Sequence, residues 1–459
     1  MKRKRKNIPC KGNSKKNIMK LISFEAVDIF DYLNITMKFN KDLSIVTGGN
    51  GTGKTTAIRL MQAILTPNIP ELVYIPFSRV SITFSWKNKI TTITVVKDKF
   101  LEISGNNFKP FKIEEKILKE FEYMSHNSDR FNYNEHIYRF GVESEIIRFI
   151  IELPTPIFIG LDRRNEDPYF KDINNNIRRK AILNERYKEP LEREIYRGTL
   201  GISLIETEIL IQDLYKRLRA VEDSLSSRLQ KELIKNSFDF KDVNIDEITT
   251  FNYEESRKIL DRKKEIREVL SKITGDDREI NSKLDRLFQK LEEHLKSNKN
   301  DGHINLELLI NLSQINSLTN VVNVIDDHNS KITASFKPIN KYLNIVNSFF
   351  IDSSKSVLVD EVGHLNVKKA NSKLTSIEAL SSGERHIVVI FANAMFNKMR
   401  KTSNNILIID EPELSLHIRW QEKFIDQLLN ATEAKSQLIL ATHSPDIVGD
   451  YKNDCISVK

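Results

Sequence analysis

Hydrophobic and polar residues alternate loosely from Leu21 to Phe39, and a short apolar run from Leu43 to Thr47 ends at two glycines. Alternation with a period of two is typical of half-buried strands, so these segments predict two strands that enter a glycine-rich loop. From Thr56 onward, apolar residues recur at helical spacing and stop at Pro67. The loop is therefore expected to join a strand to a helix.

The next segments return to strand-like patterns. Residues 81–104 alternate with a period of two and predict an antiparallel meander with turns at Lys-Asn and Lys-Asp. A polar, helical stretch is expected over 115–150, and the apolar run from Ile157 to Leu161 predicts another strand.

The middle third carries apolar residues at intervals of seven. Two long amphipathic helices are the simplest interpretation, with the polar and aromatic segment 235–254 as the tip of an antiparallel hairpin. A helical bundle packed on the core is an equally open alternative, and Gly275 argues against an uninterrupted coiled coil. The two series are Leu204, Ile211, Leu218, Leu225 and Ile259, Ile266, Ile273, Ile280, Leu287.

The last quarter alternates helices with buried strands. From Val357 the pattern predicts a short β segment, an apolar helix from Leu380 to Phe396, and strands at 406–409 and 437–442. This order is typical of the second half of a parallel-sheet domain.

Composition limits the possible classes of protein. The chain has 459 residues and a net charge of +8, but residues 1–20 hold nine Lys and Arg and no acid, so the basicity is that of a tail. The two cysteines, Cys10 and Cys455, give neither a disulfide framework nor a CxxC clip. No apolar run is long enough to cross a bilayer, and no secretory signal is recognisable, so a cytoplasmic protein with no membrane contact is expected.

The glycine-rich loop satisfies the pattern GxxxxGK[ST] between a predicted strand and a predicted helix. Its glycines and amides suit a phosphate chain, Lys54 would reach the β- and γ-phosphates, and Thr55 would offer a hydroxyl to Mg²⁺. The predicted nucleotide-binding residues here are Gly48, Asn50, Gly51, Thr52, Gly53, Lys54, Thr55 and Thr56.

Two adjacent carboxylates follow the predicted strand 406–409. Asp410 would hold Mg²⁺ and Glu411 would polarise the attacking water, because α/β sheets place ligands at the carboxyl ends of their strands. Taken alone, the pair could equally be a solvated turn; the phosphate loop favours the catalytic interpretation.

The segment LSSGE, which contains Ser381, Ser382, Gly383 and Glu384, precedes the apolar helix. In isolation it is an ordinary capping arrangement. In the order GxNGxGKTT, LSSGE, ILIIDEPE and ATHS, however, the motifs closely resemble the ATP-binding-cassette (ABC) ATPases of the SMC, DNA-repair and OLD-like branch.

The resemblance covers residues 20–170 and 340–459. It implies an α/β fold with an ABC-type P-loop core, in which a mixed sheet is flanked by helices and accompanied by an antiparallel β subdomain, with an inserted helical or coiled-coil hairpin. The expected division is a basic tail at 1–20, core halves at 21–180 and 341–459, and the insertion at 181–340.

The resemblance also implies a mechanism. Two chains would sandwich two ATP molecules, with Ser381 and Gly383 contacting the nucleotide of the opposite subunit. His443 looks like the switch histidine at the γ-phosphate, and the segment from Pro412 to His417 resembles the D-loop that crosses the dimer interface.

Two features depart from that family pattern. His417 stands where transporter cassettes have Asp, and residues 162–164 stand where a glutamine sensor would be expected. Phe30 or Tyr32 could stack on adenine, although core packing is the expected use of either residue.

The biological role is predicted from architecture. No CxxC lies between residues 235 and 254, which excludes a zinc hook, and no nuclease domain is recognisable after His443. The chain resembles the ATPase subunits of bacterial anti-phage systems, those of PARIS first and those of Septu or retron systems second. An ATP-bound homodimer or larger ring would then hold a separate nuclease or toxin and release it when a phage protein is sensed.

A DNA repair or recombination ATPase that engages duplex DNA through the helices and the basic tail is the alternative. A transporter motor is disfavoured by the DEPELSLH segment and by the long central helices.

Overall fold

The computed structural model of this chain describes residues 18–115, 118–119, 144–160, 199–238, 253–274, 278–297, 306–396, 405–432 and 436–458. The chain divides into two compact units: residues 1–212 together with 341–459, and residues 213–340. The basic tail up to residue 17, residues 162–164, Gly275 and most of the predicted tip lie outside the described residues.

The strands belong to the first unit and are numbered in chain order. They are β1 (Lys20–Ile29), β2 (Leu33–Lys38), β3 (Leu43–Thr47), β4 (Arg79–Trp86), β5 (Lys89–Lys97), β6 (Leu101–Gly105), β7 (Phe108–Ile113), β8 (Ile157–Ile159), β9 (Ser356–Val359), β10 (Leu365–Lys368), β11 (Leu374–Ser376), β12 (Ile406–Asp410), β13 (Gln437–Thr442) and β14 (Cys455–Ser457).

The helices are numbered in the same way. They are α1 (Lys54–Leu65), α2 (Ile69–Tyr74), α3 (Glu145–Glu152), α4 (Thr199–Phe238), α5 (Tyr253–Asp261), α6 (Lys263–Thr274), α7 (Arg278–Ser297), α8 (Leu306–Phe350), α9 (Ser382–Phe396), α10 (Ile418–Glu422), α11 (Phe424–Ala431) and α12 (Pro445–Val448). A 3₁₀ turn spans Pro412–Ser415.

A five-stranded sheet in the order β14-β3-β13-β12-β8 carries the motifs. All its described pairings are parallel, and every residue of β12 and β13 is buried, which explains why the residues between their ends are apolar. Asp410 pairs with Ala441, and Thr442 pairs with Thr47, so three motif-bearing strands end at the same edge. This register brings together the phosphate loop, the carboxylate pair and the ATHS segment.

The antiparallel strands form separate sheets, one in the order β2-β1-β4-β5-β6-β7 and one in the order β11-β10-β9. The predicted meander is confirmed, and its Lys-Asn turn has positive φ at both residues, as a tight hairpin requires. The expectation of one strand from Leu21 to Phe39 is wrong, because this segment folds back on itself as β1 and β2. Positive φ at Asp28, Phe30 and Asp31 makes the reversal.

One continuous core fills the space between the six-stranded sheet, α1 and the parallel sheet. Gln437, fully buried at the start of β13, fastens the two sheets through its side-chain amide. Its Oε1 accepts a hydrogen bond from the Leu21 amide, and its Nε2 donates to the carbonyl oxygens of Leu21 and Asn40. Because the polar atoms of this buried amide are hydrogen-bonded, the side chain holds β1 against β13 without the free-energy penalty of unpaired buried polar groups.

Residues 213–340 form helices around a cluster of their own. The first heptad series lies on the 40-residue helix α4, as predicted. The second does not form one long arm: it is divided among α5, α6 and α7, because Ile259 and Ile266 bury themselves against Phe288 and Leu291 instead of along a seam. The long α8 completes the described helices of this region.

The described helices include none that is long and apolar enough to span a bilayer. The polar helix expected over 115–150 lies mostly outside the described residues, and its last part is α3. The predicted domain boundaries stay a prediction.

Candidate functional site

The phosphate loop begins directly after β3 and ends at the first residue of α1. Gly51 and Gly53 both have φ of 83°, a conformation that L side chains rarely adopt. A Cβ at Gly53 would also lie 2.4 Å from Leu33 Cδ2. The left-handed backbone therefore favours glycine at both positions, and at Gly53 the Leu33 side chain of β2 would also have to move to admit a Cβ.

Lys54 points back across the loop. Its Nζ donates to the carbonyl oxygens of Gly48 (2.9 Å) and Gly49 (3.1 Å), and the residue is only 4% exposed. Burial lowers the pKa of this ammonium group, while the nearby carboxylates of Glu411 and Asp410 oppose the shift. A buried cation beside a ring of amides suits an anion such as a phosphate chain.

Asp410 is 9% exposed at the end of β12, and burial raises its pKa to about 6. Its side chain is hydrogen-bonded to Thr55, while its Oδ1 is buried and, among the described residues, has no hydrogen-bond partner. An orphaned carboxylate oxygen next to a threonine hydroxyl fits Mg²⁺, which takes one or two protein oxygens and completes its shell with water and phosphate oxygens.

Glu411 and His443 face each other across the pocket. Glu411 has φ of 49°, a strained conformation for a non-glycine residue, and its carboxylate lies 3.7 Å from His443 Nε2. The other ring nitrogen of His443 lies 3.2 Å from Lys54 Nζ. The imidazole is thus held between the loop cation and the second carboxylate.

These residues line a cleft of 690 Å³. Its lining includes Asn50, Gly51, Thr55 and Thr56 from the loop and the start of α1, together with Glu411 and His443. Of the predicted nucleotide-binding residues in the loop, Gly48 and Thr52 are absent from its lining. The Thr52 hydroxyl instead donates to the Gly49 carbonyl and closes the turn.

Two aromatic residues stand at the mouth of the cleft. Phe30 is 46% exposed and Tyr32 is 72% exposed, and both belong to its lining. The expectation of core packing for these residues is therefore wrong. Their exposure follows from the hairpin reversal between β1 and β2, which projects them from the sheet.

The LSSGE segment is built as a capping box at the start of α9. The Ser381 amide donates to Glu384 Oε2 (2.7 Å), and the Glu384 amide donates to Ser381 Oγ (3.4 Å). Lys355 Nζ lies 2.9 Å from Glu384 Oε2, and Glu384 is 3% exposed. The segment thus has the capping arrangement that its sequence indicates, and its signature role stays a prediction.

Ser381 and Ser382 are exposed, and none of the four LSSGE residues from Ser381 onward lines the cleft of their own chain. Gly383 lies against the 3₁₀ turn, where a Cβ would come within 2.1 Å of the Ser415 carbonyl oxygen. The structure thus separates the signature from the phosphate loop while joining it to the segment after Glu411.

Glu413 is a further residue of the site that the sequence motifs do not single out. Its carboxylate lines the cleft and accepts hydrogen bonds from the Thr442 hydroxyl (2.8 Å) and the His443 amide (2.6 Å). The only signal was the acidic residue inside DEPELSLH, which no spacing rule assigns to a role. His417 caps α10, where its Nδ1 accepts from the Arg419 amide at 3.4 Å.

A family model described as an AAA ATPase domain matches residues 31–448. The retron Vc95 probable ATPase of Vibrio cholerae is 24% identical over 429 residues, which cover 85% of this chain and 72% of that protein. The DNA double-strand break repair Rad50 ATPase of Sulfolobus acidocaldarius is 26% identical over 225 residues, 46% of this chain. This chain spans 25% of the length of that repair ATPase.

Among solved structures, the Pyrococcus furiosus Smc head domain with an extended coiled coil, bound to the C-terminal domain of ScpA, aligns with a TM-score of 0.37 at 14% identity. The alignment covers 96% of this chain and 93% of the Smc chain.

Proposed function

Since this chain belongs to the AAA ATPase domain family, we propose that it binds and hydrolyses ATP with Mg²⁺ between two copies of itself. The observation that carries the proposal is the meeting of Lys54, Glu411 and His443 in one cleft, with Asp410 buried beside Thr55 at the same carboxyl edge of the parallel sheet. ATP is a substrate of the right charge for this edge, because loop amides, a helix N-terminus and a buried ammonium group converge there.

Each residue then has a role that its surroundings support. Lys54 would neutralise the β- and γ-phosphate oxygens, and Glu411 would polarise the attacking water. Thr55 and Asp410 would hold Mg²⁺, which supplies charge neutralisation on the phosphates when bound. His443 would sense the γ-phosphate from its position between Lys54 and Glu411. Phe30 and Tyr32 would flank the base at the mouth of the cleft.

The second copy would supply the remaining contacts. Ser381 and Ser382 are exposed, yet the capping box and the ion pair between Glu384 and Lys355 hold their backbone in place. Fixed, exposed hydroxyl groups at a helix N-terminus suit a γ-phosphate presented by another chain. Dimerisation would thereby complete the active site.

Phosphate release by the purified chain tests this activity. We expect Mg²⁺-dependent turnover that EDTA abolishes and that Lys54→Ala reduces by weakening nucleotide binding, with Lys89→Ala on the exposed surface of β5 as the matched control. Equal turnover in all three proteins would remove Lys54 from the site.

We propose further that the ATPase acts in anti-phage defence by holding a separate nuclease or toxin and releasing it when a phage protein is sensed. Support comes from the similarity to a retron ATPase over most of both chains. Cells carrying the chain with its neighbouring genes should resist phage, and Lys54→Ala should abolish that resistance in a plaque assay. Unchanged plating with and without the genes, across a broad phage panel, would contradict this role.

A repair ATPase that acts on duplex DNA is the second candidate, favoured by the similarity of 225 residues to a Rad50 ATPase. It predicts ATP turnover that duplex DNA stimulates, with a stimulation that falls steeply as salt is raised. The defence proposal predicts turnover that responds to the effector protein and is indifferent to duplex DNA.

A further inference from the structure

Glu413 is a carboxylate in the cleft to which the mechanism above gives no role. It lies on the 3₁₀ turn Pro412–Ser415, two residues after Glu411. Both of its oxygens are instead used on the end of β13: Oε2 accepts from the Thr442 hydroxyl and Oε1 accepts from the His443 amide.

The hydrogen bond from the His443 amide to Glu413 holds the backbone of the residue that carries the predicted switch imidazole. Glu411 and Lys54 lie at 3.7 Å and 3.2 Å from the two ring nitrogens, distances that a small rotation of this backbone would change. A charge-assisted hydrogen bond of 2.6 Å to the amide restricts that rotation.

A second set of hydrogen bonds holds Ser444, the residue that follows His443. Ser444 Oγ donates to Gln421 Oε1 (2.6 Å), and Gln421 Nε2 donates to the Leu416 carbonyl (2.8 Å). Residues 413–416 therefore hold His443 in two ways. Glu413 binds its amide directly, and Leu416 is linked through Gln421 to the next residue, Ser444.

We propose that Glu413 is a positioning residue whose carboxylate fixes His443 between Lys54 and Glu411 for hydrolysis. It acts through His443 and does not itself exchange a proton with the reacting groups. The inference deepens the proposed ATPase function and rests on it.

The test compares Glu413→Ala, Glu413→Gln, His443→Ala and the double variant Glu413→Ala/His443→Ala, with Glu361→Gln in an exposed turn as the control. We expect Glu413→Ala to lower kcat by about tenfold to a hundredfold with KM for ATP nearly unchanged, because misplacement of a catalytic group costs rate more than binding. Glu413→Gln should keep much of the rate, since its amide can still accept from the His443 amide while donating to the Thr442 hydroxyl.

The double variant separates positioning from an independent role. If Glu413 acts through His443, the double variant should be no slower than His443→Ala alone. Additive losses, a wild-type rate in Glu413→Ala, or a loss in Glu413→Gln as deep as that in Glu413→Ala would each overturn the proposal.

A readout that needs no turnover keeps this inference distinct from the ATPase proposal. In protein labelled with ¹³C at histidine, the His443 ring resonance, assigned by its loss in His443→Ala, should shift or broaden in Glu413→Ala and stay in place in Glu361→Gln. An unchanged resonance would overturn the positioning role. A wild-type chain without turnover would overturn the ATPase proposal while this resonance still reports on Glu413.

Discussion

At the scale of single residues, the adjacent carboxylates of Asp410 and Glu411 have different surroundings, and we expect them to have different roles. Glu411 is part-exposed and faces His443, whereas Asp410 is buried beside Thr55. Glu411→Gln keeps the shape and removes the group that would polarise water, so kcat should fall by about a hundredfold or more with little change in ATP binding. Phosphate release and titration with a fluorescent ATP analogue measure the two effects. Undiminished turnover would contradict the assignment.

The ion pair between Glu384 and Lys355 makes a prediction about pH. Burial alone would raise the pKa of Glu384, but hydrogen bonds from Lys355 and from the Ser381 amide hold it below the ordinary value of 4.5. A carboxylate with a lowered pKa in the folded protein stabilises it above the unfolded-state pKa, and this stabilisation is lost as pH falls through the folded-state value. Glu384→Gln should therefore melt at a lower temperature than the wild type at pH 7, and the difference should narrow on acidification.

Melting curves recorded from pH 7 to below pH 4 measure that difference. Glu361→Gln, which changes an exposed carboxylate, should show no such narrowing. A difference in melting temperature between Glu384→Gln and the wild type that stays constant with pH would show that the shape of this side chain, and not its charge, stabilises the fold.

The residue-level site was predictable where fixed spacing encodes the chemistry. The positions of Lys54, Thr55, Asp410 and Glu411 follow from a loop and a strand end, and the parallel register brings them to one edge. Glu413 was missed because its partners are a hydroxyl and an amide about thirty residues along the chain. Lys355 was missed for the same reason, since no local pattern pairs it with Glu384.

At the scale of elements, the contact between α9 and the 3₁₀ turn is closer than any side chain allows. A Cβ at Gly383 would meet the Ser415 carbonyl oxygen at 2.1 Å, and a backbone atom cannot swing aside as a flexible side chain can. We expect Gly383→Ala to push the turn away from the start of α9, which would displace Glu413 and lower kcat sharply while nucleotide binding at the loop persists.

Ala379→Ser is a matched control for this element contact, since it also adds one non-hydrogen atom, at an exposed position four residues earlier. It should leave phosphate release unchanged. If Gly383→Ala instead hydrolyses ATP at the wild-type rate, the packing of signature on turn has no bearing on catalysis.

The elements that could be predicted are those whose sequence signal lies within the element itself. The meander and α1 follow from alternation and helical spacing, and both were found where expected. The prediction of one long helix from the second heptad series is wrong, because a spacing of seven residues shows only which face of a helix is apolar. In the structure Ile259 and Ile266, on α5 and α6, bury that face against Phe288 on α7.

At the scale of the whole molecule, the first unit is assembled from residues distant in sequence. β3 and β13 are neighbours although nearly four hundred residues separate them, and Gln437 fastens β1 to the same region. The sequence motifs imply this closure, because the loop and the carboxylates serve one nucleotide. The boundaries of the helical region carry no such constraint, so its predicted limits at residues 181 and 340 stay a prediction.

Assembly of the protein should depend on ATP, because the cleft of one chain and the LSSGE segment of another would bind the same nucleotide. Glu411→Gln slows hydrolysis, so this variant should accumulate as a dimer when ATP is present. Lys54→Ala, which weakens nucleotide binding, should not form that dimer. Native mass spectrometry of the chain, purified mildly with ATP from cells that also express its neighbouring genes, measures both the copy number and any second protein. A stoichiometric second protein would support the defence proposal and identify the effector. A bare dimer carrying DNA would favour the repair candidate, and a monomer in every nucleotide state would contradict a shared active site.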